Sequence, residues 1–164
     1  MIFVTVGSQL PFDRLVKAMD VWAGLNKEIK VVVQTGETDF IAKHCHIKNY
    51  IEPVEWEKLL QEAELVIAHA GMGTILKCID NHKPLVILPR KWKLGEIRND
   101  HQLATVKYFE NISGICIAND TEKLFKAIKN IQSNEHTIVN SNSNSNSNSK
   151  NLEKLINELR VFSD

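Results

Sequence analysis

The chain has 164 residues, 43% hydrophobic and 24% charged, a composition that calls for one globular domain able to fold without disulfide or metal staples. Its 20 Lys and Arg balance 20 Asp and Glu, which argues against a broad electrostatic grip on nucleic acid. Three cysteines, Cys45, Cys78 and Cys116, show no C-x-x-C spacing, which speaks against a disulfide framework or zinc ribbon and for a reducing cytoplasm.

In chain order, Met1 is followed at once by a strand, Ile2–Val6, with no basic segment before it, so no signal peptide is expected. Asp13 is the expected N-cap of a first helix whose apolar face carries Leu15, Met19, Trp22 and Leu25. Lys30–Gln34 and Ile47–Glu52 read as the next strands. Between them His44 and His46 flank Cys45 without another ligand nearby, which suits a strand edge better than a metal site. Pro53 opens a short helix with Leu59, Leu60 and Ala63, and Leu65–Ala68 is the fourth strand. A helix from about Thr74 leads to a fifth strand, Pro84–Leu88, and after a long polar loop comes a sixth, Gly114–Ala118. Thr121 is the expected cap of a helix on Leu124, Ile128 and Ile131, closing a domain over residues 1–132.

The strands are continuously apolar rather than alternating, as in strands buried on both faces, and no apolar run approaches the length of a membrane span. Repeated β-α-β order predicts an α/β fold with a doubly wound parallel sheet, whose ligands bind outside the carboxyl ends of the strands. Residues 133–149, with five Asn-Ser pairs over Asn140–Ser149, read as a solvated linker. Beyond it, residues 150–164 predict an amphipathic helix with Leu152, Leu155, Ile156, Leu159 and Phe162 in one stripe. That stripe either folds back on its own domain or docks on another chain.

Three loops carry candidate chemistry. In His69-Ala70-Gly71-Met72-Gly73-Thr74, two glycines at a strand-to-helix turn let the backbone approach a ligand, and the helix N-terminus offers amides to an anion. Thr74, as cap and hydroxyl donor, and His69 at the strand end complete a candidate diphosphate cradle. The alternative is plain turn geometry, since neither a Walker lysine nor a third dinucleotide-type glycine is present. Gly7 and Ser8 after the first strand are set to reach the same crevice. The third loop, Pro89 to Gln102, holds Arg90, Lys91, Trp92, Lys93 and Arg98, then Asp100 and Gln102. A carboxylate beside an amide suits a vicinal diol; the alternative is a solvated basic loop with Asp100 as a helix cap. No Asp-x-Asp pair is present to hold a divalent cation against a diphosphate.

Taken together, Met1-Ile-Phe-Val-Thr-Val-Gly-Ser-Gln9 with Pro11-Phe12-Asp13, then His69-Ala-Gly-Met-Gly-Thr-Ile75, then Asp100-His-Gln102 resemble the family 28 glycosyltransferase C-terminal domain. The chain looks most like the short bacterial capsule and exopolysaccharide subunits. It is also similar to the catalytic half of the two-chain lipid-linked N-acetylglucosaminyltransferase. The resemblance implies a Rossmann-like, GT-B C-terminal half that binds a UDP-sugar as substrate, with no cofactor and no metal. It places the diphosphate against Gly7, Ser8, Gly71, Gly73 and Thr74, with His69 stabilising the leaving group. Uracil falls against backbone near Tyr50 and Ile51, and the donor sugar against Asp100 and Gln102. Lys77 stands where many relatives carry an acid for the ribose.

The implied partner is a membrane-anchored, acceptor-binding glycosyltransferase subunit, and the implied acceptor a lipid-linked saccharide. The chain would then be a cytoplasmic protein held peripherally at the inner membrane face through that partner. A second reading is a non-catalytic assembly module that supports a partner glycosyltransferase.

Overall fold

The computed structural model describes residues 1–7, 10–98 and 101–134, without the side chains of residues 101, 103–105 and 134. Of the expected linker over 133–149, residues 133 and 134 belong to the last helix, and the remainder, with the apolar stripe beyond it, lies outside the described residues. Six strands, β1 (Ile2–Thr5), β2 (Val31–Gln34), β3 (His46–Lys48), β4 (Leu65–Ala68), β5 (Leu85–Ile87) and β6 (Ile115–Ile117), form one sheet. Its order is β3-β2-β1-β4-β5-β6, with every pairing parallel. Five α-helices connect or follow them: α1 (Asp13–Leu25), α2 (Pro53–Glu62), α3 (Met72–Asp80), α4 (His101–Phe109) and α5 (Thr121–Asn134). The unit Met1–Lys129 contains the whole sheet.

Every residue of β1, β2, β4 and β5 is buried, so both faces are covered and the uninterrupted β-branched runs follow directly. Ile2 pairs with Val31 on one side and Leu65 on the other, which sets β1 and β4 side by side at the centre. There the strand order reverses, and open α/β sheets bind their ligands outside the carboxyl ends of the strands at such a switch point. The core is built on Phe3, Phe12, Leu15, Met19, Leu60, Ile67, Ile75, Leu85, Ile87 and Phe109, all fully buried.

Several local expectations shift. The third strand covers His46–Lys48 rather than Ile47–Glu52, because it is an edge strand pairing only with β2, whose last residue Gln34 meets Lys48. Residues 49–52 continue past the ladder. Leu25 does not join the buried face of α1: it is exposed at the last helical residue, and Ala23 takes the inward position after Trp22. Asp13 does not cap α1, which starts without a side-chain cap; its carboxylate accepts from the Thr38 hydroxyl at 2.7 Å. Nor does Thr121 cap α5, since the Lys123 amide donates to Asp120 at 2.8 Å and the capping group stands one residue earlier. Finally, α3 begins at Met72, two residues before the expected start, because the Gly71 carbonyl already accepts from the Ile75 amide at 3.1 Å.

Candidate functional site

His69 stands directly after β4, beside Gly7 after β1, and its ring is caged by glycines. A Cβ on Gly7 would lie 2.6 Å from the His69 Cε1, and Gly7 also has φ +80°, a left-handed conformation that favours glycine. A Cβ on Gly71 would overlap Nε2 and lie 2.5 Å from Cε1. Both positions therefore require the absence of a side chain, which separates them from Gly73, where a Cβ meets nothing within 4 Å. The cage encloses Nδ1 completely and leaves it without a hydrogen-bond partner, while part of the residue stays open to solvent.

Burial holds the His69 imidazole down at a pKa of about 4, with the nearby Arg90 guanidinium adding to the shift and the Thr5 backbone opposing it. At neutral pH the ring is uncharged, so it offers one N–H and one lone pair rather than a cation. A neutral ring of this kind can donate a hydrogen bond to an anion but brings no positive charge to it. Positive potential comes instead from the first turn of α3, where the amides of Met72, Gly73 and Thr74 have no helical carbonyl ahead of them. Thr74 is the third residue of that turn, and the helix has no side-chain cap.

The structure brings Gly7, His69, Gly71, Gly73 and Thr74 to one sheet edge. Tyr50 and Ile51 follow β3 at the same edge, Tyr50 exposed and Ile51 buried. Ser8 and Asp100 lie outside the described residues. Gln102 is 8% exposed, and its Oε1 accepts from the Ala70 amide at 3.3 Å and the Arg90 amide at 3.0 Å. It ties the end of β4 to the end of β5, so its oxygen is already occupied.

Arg90 is the residue that sequence reasoning missed. Placed in a basic loop, it is nevertheless 3% exposed. Its Nη2 donates to Val6 O at 2.8 Å and Leu10 O at 2.6 Å, and its Nη1 donates to Pro11 O and, at 3.2 Å, to Glu96 O. The guanidinium thus grips the loop after β1 from both ends. Phe12 is flanked by Arg90 at 4.7 Å and Arg14 at 5.1 Å from its ring centroid. Arg14 in turn binds Glu96 through two bonds, of 2.7 and 2.9 Å. These partners lie about eighty positions apart in the chain, so no local pattern marks them; the one cue is a run of charge directly after an apolar strand.

Lys77 extends from α3 to Glu57 on α2 and pairs with it. Among the described residues no group of three or more His, Cys, Asp or Glu side chains is arranged to hold a metal ion, and no helix is long and apolar enough to cross a membrane.

An all-parallel sheet whose strand order reverses between β1 and β4, with a glycine-caged histidine and a helix N-terminus at the carboxyl edge of those strands, defines a Rossmann-like half of the GT-B type. The glycosyltransferase family 28 C-terminal domain matches residues 1–159, and the chain belongs to that family. It is similar to the UDP-N-acetylglucosamine transferase subunit ALG13 of Candida albicans, at 29% identity over 48% of this chain and 25% of the relative. It also resembles the UDP-N-acetylglucosamine--N-acetylmuramyl-(pentapeptide) pyrophosphoryl-undecaprenol N-acetylglucosamine transferase of Leptospira interrogans, at 27% identity over 73% of this chain and 34% of that one. The chain therefore spans about a third or less of the length of these relatives. The crystal structure of the glycotransferase of kitacinnamycin shares the fold, with a TM-score of 0.61, 18% identity, and coverage of 98% of this chain and 39% of that one.

Proposed function

We propose that this chain is the donor-binding, catalytic subunit of a two-chain, metal-independent inverting glycosyltransferase. It moves a hexose from a UDP-sugar to a lipid-linked saccharide, in capsule or exopolysaccharide synthesis. The observation that carries this reading is the His69 cage, in which Gly7 and Gly71 hold an imidazole against the N-terminus of α3.

The diphosphate sits against Gly7, Ser8, Gly71, Gly73 and Thr74, the uracil against backbone at Tyr50 and Ile51, and the sugar hydroxyls near Asp100 and Gln102. As the bond from the anomeric carbon to the diphosphate oxygen breaks, negative charge grows on that oxygen. The α3 amides and the His69 N–H are fixed donors aimed at it, and such donors need no reorganisation during the reaction. The acceptor hydroxyl attacks from the opposite face and loses its proton to a base on the partner. That partner is membrane-anchored and binds the acceptor, and it holds this chain at the cytoplasmic face.

One observation favours the second reading, an assembly module without its own chemistry. Lys77 replaces the acid expected to hold the ribose, and its ammonium is already engaged by Glu57. Isothermal titration with UDP and UDP-sugars, without divalent metal, separates the two readings. Saturable binding weakened by His69→Ala, with a tenfold or greater loss of transfer by the complex, is the expected result. Unchanged transfer by His69→Ala in the complex would establish the assembly module instead.

A further inference from the structure

The loop from Arg90 to Arg98 is folded inside out. Its charged residues Arg90 and Glu96 point inward, whereas Trp92 and Leu94 on the 3-10 turn Trp92–Leu94 are 56% and 59% exposed. Water would drive the opposite arrangement, since a large apolar side chain loses by exposure and a charge loses by burial.

The backbone fixes this orientation. The Leu94 amide donates to Lys91 O at 3.1 Å, the Gly95 amide to Trp92 O at 2.8 Å, and Gly95 closes the turn at φ +69°. Glu96 Oε2 accepts from the Lys91 amide at 2.8 Å while the same carboxylate binds Arg14. The acid of this loop is therefore committed inward, and the exposed charges beside the apolar pair, Lys93 and Arg98, are both positive. Arg90 also ties the loop to the backbone at Leu10, whose side chain is itself exposed.

We infer that this turn is a membrane-surface anchor, with Trp92 and Leu94 entering the headgroup region and Lys93 and Arg98 meeting the phosphates of anionic phospholipids. A three-residue turn is far smaller than the roughly 800 Å² per partner that a stable protein interface buries. A Trp with alternating basic residues on a rigid turn suits shallow insertion at a charged lipid surface, where indole and lysine both find their preferred depth. The anchor lies at the sheet edge that carries the His69 cage, so it would turn that edge toward the bilayer. It does not depend on the identity of the donor.

The test uses the full chain and large unilamellar vesicles of phosphatidylcholine, alone or with about a third phosphatidylglycerol. Sedimentation with the anionic vesicles, weakened by high salt, is the expected result. Tryptophan emission should shift to the blue, because Trp22 is buried and Trp56 already packs edge-on against Phe3, leaving Trp92 to report. The variant W92F should abolish the shift. K93Q/R98Q should lower the partition coefficient about 25-fold, from roughly fivefold per basic residue, and W92A/L94A by about tenfold or more. Absence of binding to anionic vesicles would overturn the inference. Binding that neither double variant weakens would also overturn it, by assigning lipid contact to another part of the chain. No nucleotide is needed for sedimentation, so failure here leaves the donor-site reading untouched, and the converse holds.

Discussion

Gly71→Ala isolates the His69 cage from every other property of the turn. Gly71 has φ −89° and ψ 125°, an extended conformation open to alanine, so the backbone itself imposes no cost. The new methyl would overlap Nε2 and stand 2.5 Å from Cε1, against the about 3.5–4.0 Å of normal contact. The ring has no room to retreat, because Gly7 closes the other side. Forced repacking of this kind costs about 1–3 kcal/mol, which for a chain of this size lowers the Tm by roughly 2–12 °C. In a His69→Ala background the obstacle is gone, and Gly71→Ala should then stabilise by about 0.4–1 kcal/mol through the unfolded chain. Urea denaturation of the four proteins in the cycle gives the coupling directly, expected at about 1.4–4 kcal/mol. If Gly71→Ala costs the same with and without the imidazole, the cage is not the reason for the glycine.

Two further predictions concern pH and a buried carboxylate. Because burial lowers the His69 pKa to about 4 in the folded protein, its contribution to stability is complete above the unfolded value near 6.5. It is lost as pH falls from there through 4, by on the order of 3 kcal/mol, and urea titrations of His69→Asn should lack that slope. Asp20 acts in a lower window: burial pushes its pKa up, but the His44, Cys45 and Lys43 amides outweigh that and hold it below 3.8. Its stabilisation persists above the unfolded value and disappears only as pH falls through the folded one. Asp20→Ala strands those three amides, and should cost about 3 kcal/mol with loss of hydrogen-exchange protection at residues 43–45.

The sheet was legible because its central strands are apolar on both faces, and a run such as Leu65–Ala68 admits few other readings. Ends were less so: the ladder beside β3 stops where β2 stops, a fact of pairing that Ile47–Glu52 does not contain. The caps at Asp13 and Thr121 failed for a related reason, since a carboxylate and a hydroxyl with capping chemistry stood one residue inside the helix. His69, Gly7 and Gly71 were visible as turn residues, but not the reason for the glycines, which is that the His69 ring folds back over Gly71 in its own turn and against Gly7 from the loop after β1. Arg90 was read by type, as solvated charge, and Asp20, on the first helix, carried no signal that set it apart. Their burial depends on carbonyls and amides far along the chain, and backbone groups leave no trace in residue identity.

The side-by-side placement of β1 and β4 has a kinetic consequence. Ile2 and Leu65 become neighbours only after the intervening chain has closed into a loop, an entropic cost met before any of the contacts at the sheet centre form. Gly7 cannot meet His69 until that closure is complete, so the cage belongs to the late, non-local part of folding. Interactions made only there act on the rate of unfolding rather than on the rate of folding. An occupied cage would accordingly lengthen the lifetime of the folded chain without hastening its formation, a difference that stopped-flow folding and unfolding rates with and without UDP would resolve.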